Sequence, residues 1–384
     1  MKDQIFNLIA KEKERQNKQI QLIPSENCSS DDVLEALGSC LNNKYAEGYP
    51  GRRYYQGNAI VDEVENLAIE RGKKLFNVQH VNVQPYSGSP ANSAVEMALL
   101  EPGDTICGLK LSAGGHLTHG HPKITFSGKF FNSVQYDVEE DGRIDYEKLA
   151  QLVKEIKPKL LIAGTTAYPY SLDFKKFGEI ADSVGAWLLA DISHIAGLIA
   201  GGVHQSPSEY VHVIMSTTHK TLRGPRGAFI GITKKGLDKD PDLAKKIDKA
   251  VFPGLQGGPH ENAIAGIAIA FAEASTPEFK DYALQVTKNA KALAESLRKN
   301  GIKVFGTDNH LMVVDCGFEK GKEVATKLEE NDIIVNANTI PHDQAGPMNP
   351  SGIRIGSPWM TTMGWKEKEF EELGEKMAGV IKSV

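Results

Sequence analysis

Short, mostly apolar runs alternate with amphipathic stretches through the middle of the chain. Val81–Gln84, Leu160–Ala163, Ala186–Ala190, Val211–Met215 and Phe229–Ile232 read as strands. Phe174–Val184, with apolar residues at helical spacing, reads as one of the helices between them. Tyr86–Asn92 is a turn, and Pro90 suits the first turn of the helix it opens. That helix runs to about Leu100 and stops at Glu101-Pro102-Gly103. Short strands alternating with helices predict an α/β fold with a mostly parallel sheet. After Gly258 the pattern changes. Long helices are expected over Glu261–Ala274 and Lys280–Lys299, the second ending at Asn300-Gly301. Then follow a strand (Leu311–Asp315), a helix (Lys322–Asn331), strands near Ile333–Asn336 and Gly352–Ile355, and a last helix from about Lys366. This is the pattern of a smaller C-terminal α+β domain. With the boundary between Phe271 and Ser275, the expected division is an N-terminal arm (1–25), a large domain (26–272) and a small domain (273–384).

Composition narrows the function classes. A length of 384 residues suits two or three domains, or one large domain with an appendage. With 24% charged and 41% hydrophobic residues, global disorder is excluded. Forty-four Lys and Arg against 49 Asp and Glu leave a net charge of −5 and no basic block. That argues against general nucleic-acid binding and against anchoring on an anionic membrane. Cys28, Cys40, Cys107 and Cys316 form no CxxC pair, so neither a disulfide scaffold nor a zinc ribbon is expected. Residues 1–21 are charged and helix-like, with no apolar signal core, and the chain holds no apolar run of membrane-spanning length. The expectation is a soluble, cytoplasmic protein of a reducing compartment.

Three clusters could carry chemistry. Asp191, with Ser193 and His194 behind it, stands at the end of an apolar strand, where open α/β sheets bind ligands. Lys220 follows another strand, within Ser216-Thr217-Thr218-His219-Lys220-Thr221, and could form a Schiff base. Ser87-Gly88-Ser89 precedes a helix and offers N–H groups to a phosphate, or is simply a helix cap. In that order they meet the needs of pyridoxal 5′-phosphate: N–H groups for the phosphate, a carboxylate for the pyridine nitrogen, an amine for the aldehyde. His116-x-x-His119-x-His121 has spacing that permits a metal, but no Cys or acid stands close by, so a histidine stacked on a ligand ring or plain loop histidines fit better. Arg354 interrupts an apolar strand and is either a clamp for a substrate carboxylate or half of a structural salt bridge. The segment Tyr45–Gly57, dense in Tyr, Gly and Arg, reads as a binding loop or subunit contact.

Eight strings, in order, closely resemble the serine hydroxymethyltransferase family: YAEGYPGRRYYQG (45–57), VQPYSGSPAN (83–92), LEPGDTI (100–106), GGHLTHG (114–120), STTHKTLRGPRG (216–227), FPGLQGGPH (252–260), TDNHLMVVD (307–315) and SGIRIGSP (351–358). The resemblance runs from about Ile23 to the C-terminus. It implies a pyridoxal-phosphate enzyme of fold type I, the aspartate-aminotransferase-like fold, acting as a homodimer or tetramer with shared active sites. It further implies interconversion of serine plus tetrahydrofolate with glycine plus 5,10-methylenetetrahydrofolate, in one-carbon metabolism. By resemblance Lys220 is the Schiff-base lysine, Asp191 the partner of the pyridine nitrogen, His194 a residue near the cofactor ring and His116 the histidine stacked on it. Ser87, Gly88 and Ser89 resemble the phosphate turn, and Thr217 another cofactor contact. Tyr45, Gly257 and Gly258 resemble the part of the phosphate site donated by the neighbouring subunit. Arg354 and Ser25 resemble the carboxylate site, Glu47 the acid that handles the substrate hydroxyl proton, and Tyr55 a substrate-side tyrosine of the partner chain. Leu111, Gly115, His116, Leu117 and Asn338 resemble folate-side residues. His219 resembles a residue that steers the reaction once substrate is bound.

Three departures from the family pattern stand out. Thr166 occupies a position near the cofactor's phenolic oxygen where the family usually has Ser, and its hydroxyl can still donate. The sequence Tyr168-Pro-Tyr170 is unusual. Gly346-Pro347-Met348 replaces a folate-contacting Ser-Pro-Phe, which removes an aromatic contact. The rival readings are a folate-independent pyridoxal-phosphate aldolase acting on β-hydroxy amino acids, and a non-catalytic relative serving as a scaffold or RNA-binding subunit. The intact lysine and clamp speak against the second.

Overall fold

A computed structural model of the chain describes residues 3–122 and 124–384. Of the charged N-terminal stretch, Met1 and Lys2 lie outside the described residues; Gln4–Lys18 (α1) is a helix capped by the Asp3 side chain. The centre is a seven-stranded sheet. Its strands in chain order are His80–Asn82 (β1), Thr105–Leu109 (β2), Asn132–Tyr136 (β3), Leu160–Gly164 (β4), Trp187–Asp191 (β5), Val213–Thr217 (β6) and Ala228–Ile232 (β7). Their spatial order is β1-β7-β6-β5-β4-β2-β3. Only β7 runs antiparallel to its neighbours; the other pairs are parallel. The expected mostly parallel sheet is therefore present.

The apolar runs that predicted β4, β5, β6 and β7 are covered on both faces by helices, which explains their near-continuous hydrophobicity. Two corrections concern the sheet. β6 starts at Val213 rather than Val211, because His212 turns its Nδ1 back to accept from the Leu188 N–H. β2 and β3 were not foreseen. Register does the work that matters for function: Gly164 is level with Asp191, and Asp191 with Met215. The carboxyl ends of β4, β5 and β6 thus open at one edge, where crossover loops meet.

A second sheet lies in the C-terminal part. Val304–Phe305 (β8), Leu311–Asp315 (β9), Asn336–Asn338 (β10) and Gly352–Gly356 (β11) pair antiparallel in the order β8-β9-β11-β10. The segment read as one strand near Ile333–Asn336 is two. Ile333–Ile334 pairs with Ile20–Gln21 instead, which ties the N-terminal segment to this sheet. The helix Pro277–Lys299 (α2) has Phe279–Val286 in the core of the large sheet and Ala290–Leu297 in that of the small one. Among the described residues no helix is long and apolar enough to cross a membrane.

The Tyr45–Gly57 segment carries an ion cluster that its composition disguised. The Arg53 side chain is buried and donates from Nε to Asp62 at 2.8 Å and from Nη2 to Glu65 at 2.7 Å. Its Nη1 donates to the carbonyls of Ala46 and Gly48, on either side of Glu47. Buried Glu261 lies 3.9 Å from the same guanidinium and is pushed up to about 8, by burial first and then by the charge of Glu65. Removing one member of a buried ion cluster leaves uncompensated charge. Arg53→Met is therefore expected to lower the unfolding free energy by about 3–5 kcal/mol. The loss should shrink in mild acid, where Glu65, raised by burial, takes up a proton as Glu261 has largely done already at neutral pH, and urea titrations at two pH values would report it.

Candidate active site

Asp191, the last residue of β5, is buried, and each of its oxygens accepts two hydrogen bonds. Oδ2 accepts from His119 Nε2 at 2.9 Å and from Asn92 Nδ2 at 3.0 Å. Oδ1 accepts from the Ser193 hydroxyl at 2.6 Å and the Ser193 N–H at 3.1 Å. Burial alone would raise this acid, but the hydrogen bonds from His119 and Ser193 overcome it. Asp191 is held well below the usual carboxylate range. The tautomer of His119 follows from geometry: its Nδ1 accepts from the His116 N–H at 3.2 Å, so Nε2 carries the proton given to Asp191. Gly164 leaves room for this contact, since a Cβ there would stand 2.6 Å from Asp191 Cβ and 2.8 Å from His119 Cε1.

Lys220, three residues beyond β6, lines a cavity of about 260 Å³ with Asp191, Ser193, His194, Thr217, His219, Ser87, Gly88, Ser89, Asn92, His116, Thr165, Thr166 and Arg226. Its ammonium has no hydrogen-bond partner or ion pair among the described residues. Burial pushes the amine down to about 8, against the pull of Asp191 and with the help of Arg354 and Arg226. Its carbonyl accepts from the Asn27 side chain at 3.1 Å, which fixes the backbone from which it projects. Ser87 is the residue before the helix Gly88–Leu99, yet its side chain caps nothing. Thr217 Oγ1 and His219 Nδ1 are buried without partners among the described residues. A Cβ on Gly88 would lie 2.7 Å from Thr217 Cγ2, so glycine lets the turn and the strand end approach.

Arg354, on β11, is buried with no carboxylate within salt-bridge distance among the described residues. Nε donates to Asn336 at 3.0 Å and Nη1 to the Thr166 carbonyl at 2.9 Å, which brings it to the cavity edge. Burial lowers it to about 10, opposed by Glu26. Of the two earlier readings, the salt bridge is absent. His116 accepts at Nδ1 from the Thr118 N–H, and burial, then His119, pushes it down to about 4. Burial lowers His219 to about 3, with Lys220 and Arg226 adding to the effect. A larger cleft of about 590 Å³ shares His219 and Arg226 with the cavity and also touches Ser25, Glu26 and Arg15.

Other anticipated residues lie elsewhere in the chain. Tyr45, Glu47, Tyr55, Gly257 and Gly258 do not line this cavity. They gather in a second cluster, with Tyr45 and Tyr55 exposed and their rings 4.9 Å apart. A Cβ on Gly257 would lie 3.3 Å from Glu47 Oε1, and one on Gly258 3.3 Å from the Tyr45 ring. Leu111 and Gly115 flank the turn ahead of His116, and Leu117 is exposed. The Asn338 amide donates to the Thr339 carbonyl, and Thr339 in turn to Ser112. Gly346, Pro347 and Met348 form an outer loop with Met348 76% exposed, left open by the described residues. Sequence reasoning gave no role to Asn92, His119, Asn27 and Arg226, and placed Ser193 beside Asp191 without assigning it a task. His119 was in view as part of the histidine string. Among the described residues no three His, Cys, Asp or Glu side chains are placed to hold a metal ion.

Comparison with known proteins agrees with this geometry. The family profile for serine hydroxymethyltransferase matches residues 1–377. The chain belongs to the serine hydroxymethyltransferase family. It is 52% identical over 382 residues to the serine hydroxymethyltransferase of Desulfotalea psychrophila (strain LSv54 / DSM 12343), covering 98% of this chain and 88% of that protein. It is 53% identical over 383 residues to that of Francisella tularensis subsp. novicida (strain U112), covering 98% and 90%. A probable serine hydroxymethyltransferase of Rickettsia bellii (strain RML369-C) is 53% identical over 382 residues, covering 98% and 89%.

Serine hydroxymethyltransferases depend on pyridoxal phosphate and use tetrahydrofolate as co-substrate, and the residues here fit the cofactor. An unspent Ser87 hydroxyl and helix N-terminus suit its phosphate. A buried anion suits its pyridinium, and an unpaired, depressed amine its aldehyde. The amine supplies a test: in cofactor-free protein, reductive alkylation of Lys220 by a small aldehyde should rise with pH to a plateau above about 8. Other lysines should still be climbing near pH 10. Tryptic peptide mass spectrometry at a series of pH values reads both, and a Lys220 profile like the rest would contradict the assignment.

Proposed function

We infer that this chain transfers the hydroxymethyl group of serine to tetrahydrofolate, giving glycine and 5,10-methylenetetrahydrofolate, at the cavity between β4, β5 and β6. The observation that carries the reading is convergence: a buried carboxylate and a depressed, unpaired amine line one cavity, and a buried guanidinium with no carboxylate partner donates to the carbonyl of Thr166, which lines that cavity too.

Each residue then has a task. Lys220 provides the amine for the cofactor's aldehyde, and Ser87, Gly88 and Ser89 donate to its phosphate. Asp191 keeps a proton on the pyridine nitrogen, because an anion so well hydrogen-bonded does not take that proton for itself. Pyridoxal phosphate held there would supply an electron sink for the pair left at Cα as the Cα–Cβ bond of serine breaks. His116, a neutral imidazole lining the cavity, would stack on the ring. Thr166, Thr217 and His194 line the same cavity and would hold the rest of the group. Arg354 grips the substrate carboxylate in two hydrogen bonds, beside Ser25, and so sets which Cα bond is aligned for cleavage. His219 borders both the cavity and the larger cleft and steers the reaction once substrate is bound.

Glu47 and Tyr55 act from a second copy. The support is that the Tyr45–Gly57 loop and Gly257-Gly258 cluster away from this chain's own cavity and expose aromatic rings. In a homodimer, or a tetramer of such dimers, this cluster closes the partner's cavity. Glu47 then moves the proton of the serine hydroxyl, with Tyr55 beside it, and Tyr45, Gly257 and Gly258 complete the phosphate site. Leu111, Gly115, Leu117, Asn338 and Gly346–Met348 bound the folate. We further propose a cytoplasmic location and the division 1–25, 26–272 and 273–384 into arm, large domain and small domain.

The deciding experiment is glycine formation from serine by the pyridoxal-phosphate-loaded protein with and without tetrahydrofolate. The expected result is strong dependence on folate; folate-indifferent cleavage of β-hydroxy amino acids would establish the aldolase instead. Restoring the aromatic contact by Met348→Phe is expected to lower the tetrahydrofolate KM roughly 3- to 10-fold, a gain typical of one added aromatic contact. The serine KM should not move, because Met348 is exposed at the surface whereas Arg354 is buried.

A further inference from the structure

His194 is enclosed, and one of its ring nitrogens has a protein partner: Nδ1 lies 3.2 Å from Nε2 of His310. The rings are 27° from parallel with centroids 5.5 Å apart. Both are neutral. Burial, followed by the charges of Lys220 and Arg354, holds His194 well below the ordinary histidine range. Burial, then Arg354 and Lys220, lowers His310 to about 3.

A neutral pair places one proton in this bond, in one of two ways. If His194 donated from Nδ1, His310 would carry its own proton on Nδ1. That nitrogen is buried with no hydrogen-bond partner among the described residues, so an N–H would be stranded there. A stranded N–H is rarer than a stranded lone pair. If His310 donates from Nε2, its Nδ1 is a bare lone pair and His194 keeps its proton on Nε2. The second arrangement avoids the stranded donor.

We propose that His310 is a positioning residue. By donating to His194 Nδ1 it holds His194 in the tautomer that offers its Nε2–H to the cavity the ring lines. The donor comes from the other sheet. His310 immediately precedes β9, and Val313 on β9 is level with Arg354 on β11. The His310 carbonyl also accepts from the Ser357 N–H just beyond β11. His194 follows Asp191 on β5. The bond therefore fixes the ring beside the cofactor to the sheet that carries the carboxylate clamp. This rests on the reading that His194 faces the bound cofactor.

The experiment uses holoenzyme labelled with ¹⁵N-histidine and long-range ¹H–¹⁵N NMR. In the wild type His194 is expected as the Nε2–H tautomer. His310→Gln, which retains an amide donor, should keep it. His310→Phe, which retains ring bulk without a donor, should release His194 into mixed tautomers. It should also shift the visible absorbance of the bound cofactor. It should lower kcat roughly 10- to 100-fold, the range for losing a partner that orients a functional histidine, with the serine KM little changed. A wild-type His194 protonated on Nδ1 would overturn the proposal, even if His310→Phe failed to fold. So would His310→Phe holoenzyme with wild-type tautomer and absorbance. If His194→Asn left the cofactor absorbance unmoved, the underlying placement of His194 would be wrong, and the role of His310 would fall with it.

Discussion

The site depends on keeping one carboxylate ionised inside a protein. Unpaired, a buried charge of this kind would take up a proton instead. Asp191 stays an anion because four hydrogen bonds reach it, from Asn92, His119 and twice from Ser193. Each donor is held in turn. His119 is oriented by the His116 N–H and admitted by Gly164. The Ser193 hydroxyl accepts from the Thr217 N–H at 3.0 Å. Asn92 sits one turn into the helix that follows the phosphate turn and also donates to Thr118. Supporting Asp191 therefore ties together the phosphate turn, the histidine string and the strand leading to Lys220.

The balance of charge around that anion explains the neighbouring residues. Lys220, Arg226 and Arg354 bring three positive groups to one carboxylate at the cavity. The surplus suits a phosphate and a substrate carboxylate. The same surplus, with burial, keeps His116, His194 and His219 neutral, so that they act as rings and hydrogen-bonding groups. Lys220 is shifted toward its nucleophilic form by the same environment. Arg354 is poised by its lack of a protein counter-ion: Asn336 and the Thr166 carbonyl orient it without neutralising it.

How much of this was legible in the sequence follows from what each residue packs against. β4 to β7 announced themselves because both faces are covered, which writes an unbroken apolar run. β2 carries Thr and Gly within its five residues, and β3, Asn132-Ser-Val-Gln-Tyr136, is a partly exposed edge strand, so neither shows such a run. Lys220, Asp191 and Arg354 were visible as polar residues at the ends or inside of apolar strands. His119 could not be assigned from spacing, because its partner is 72 residues away and only the crossing of two loops joins them. Nor could His310, which reaches His194 across 116 residues and between two sheets. Arg53 was lost for the opposite reason: a Tyr- and Gly-rich stretch reads as surface, and its acidic partners lie on helices elsewhere.

The account's central claim is that Asp191 is an anion that keeps a proton on the bound cofactor's ring nitrogen. The direct measurement is the ¹⁵N chemical shift of that nitrogen in protein loaded with ring-labelled pyridoxal phosphate. The account predicts a protonated nitrogen in the wild type at neutral pH and an unprotonated one in Asp191→Asn. An unprotonated nitrogen in the wild type, or the same shift in both proteins, would contradict it.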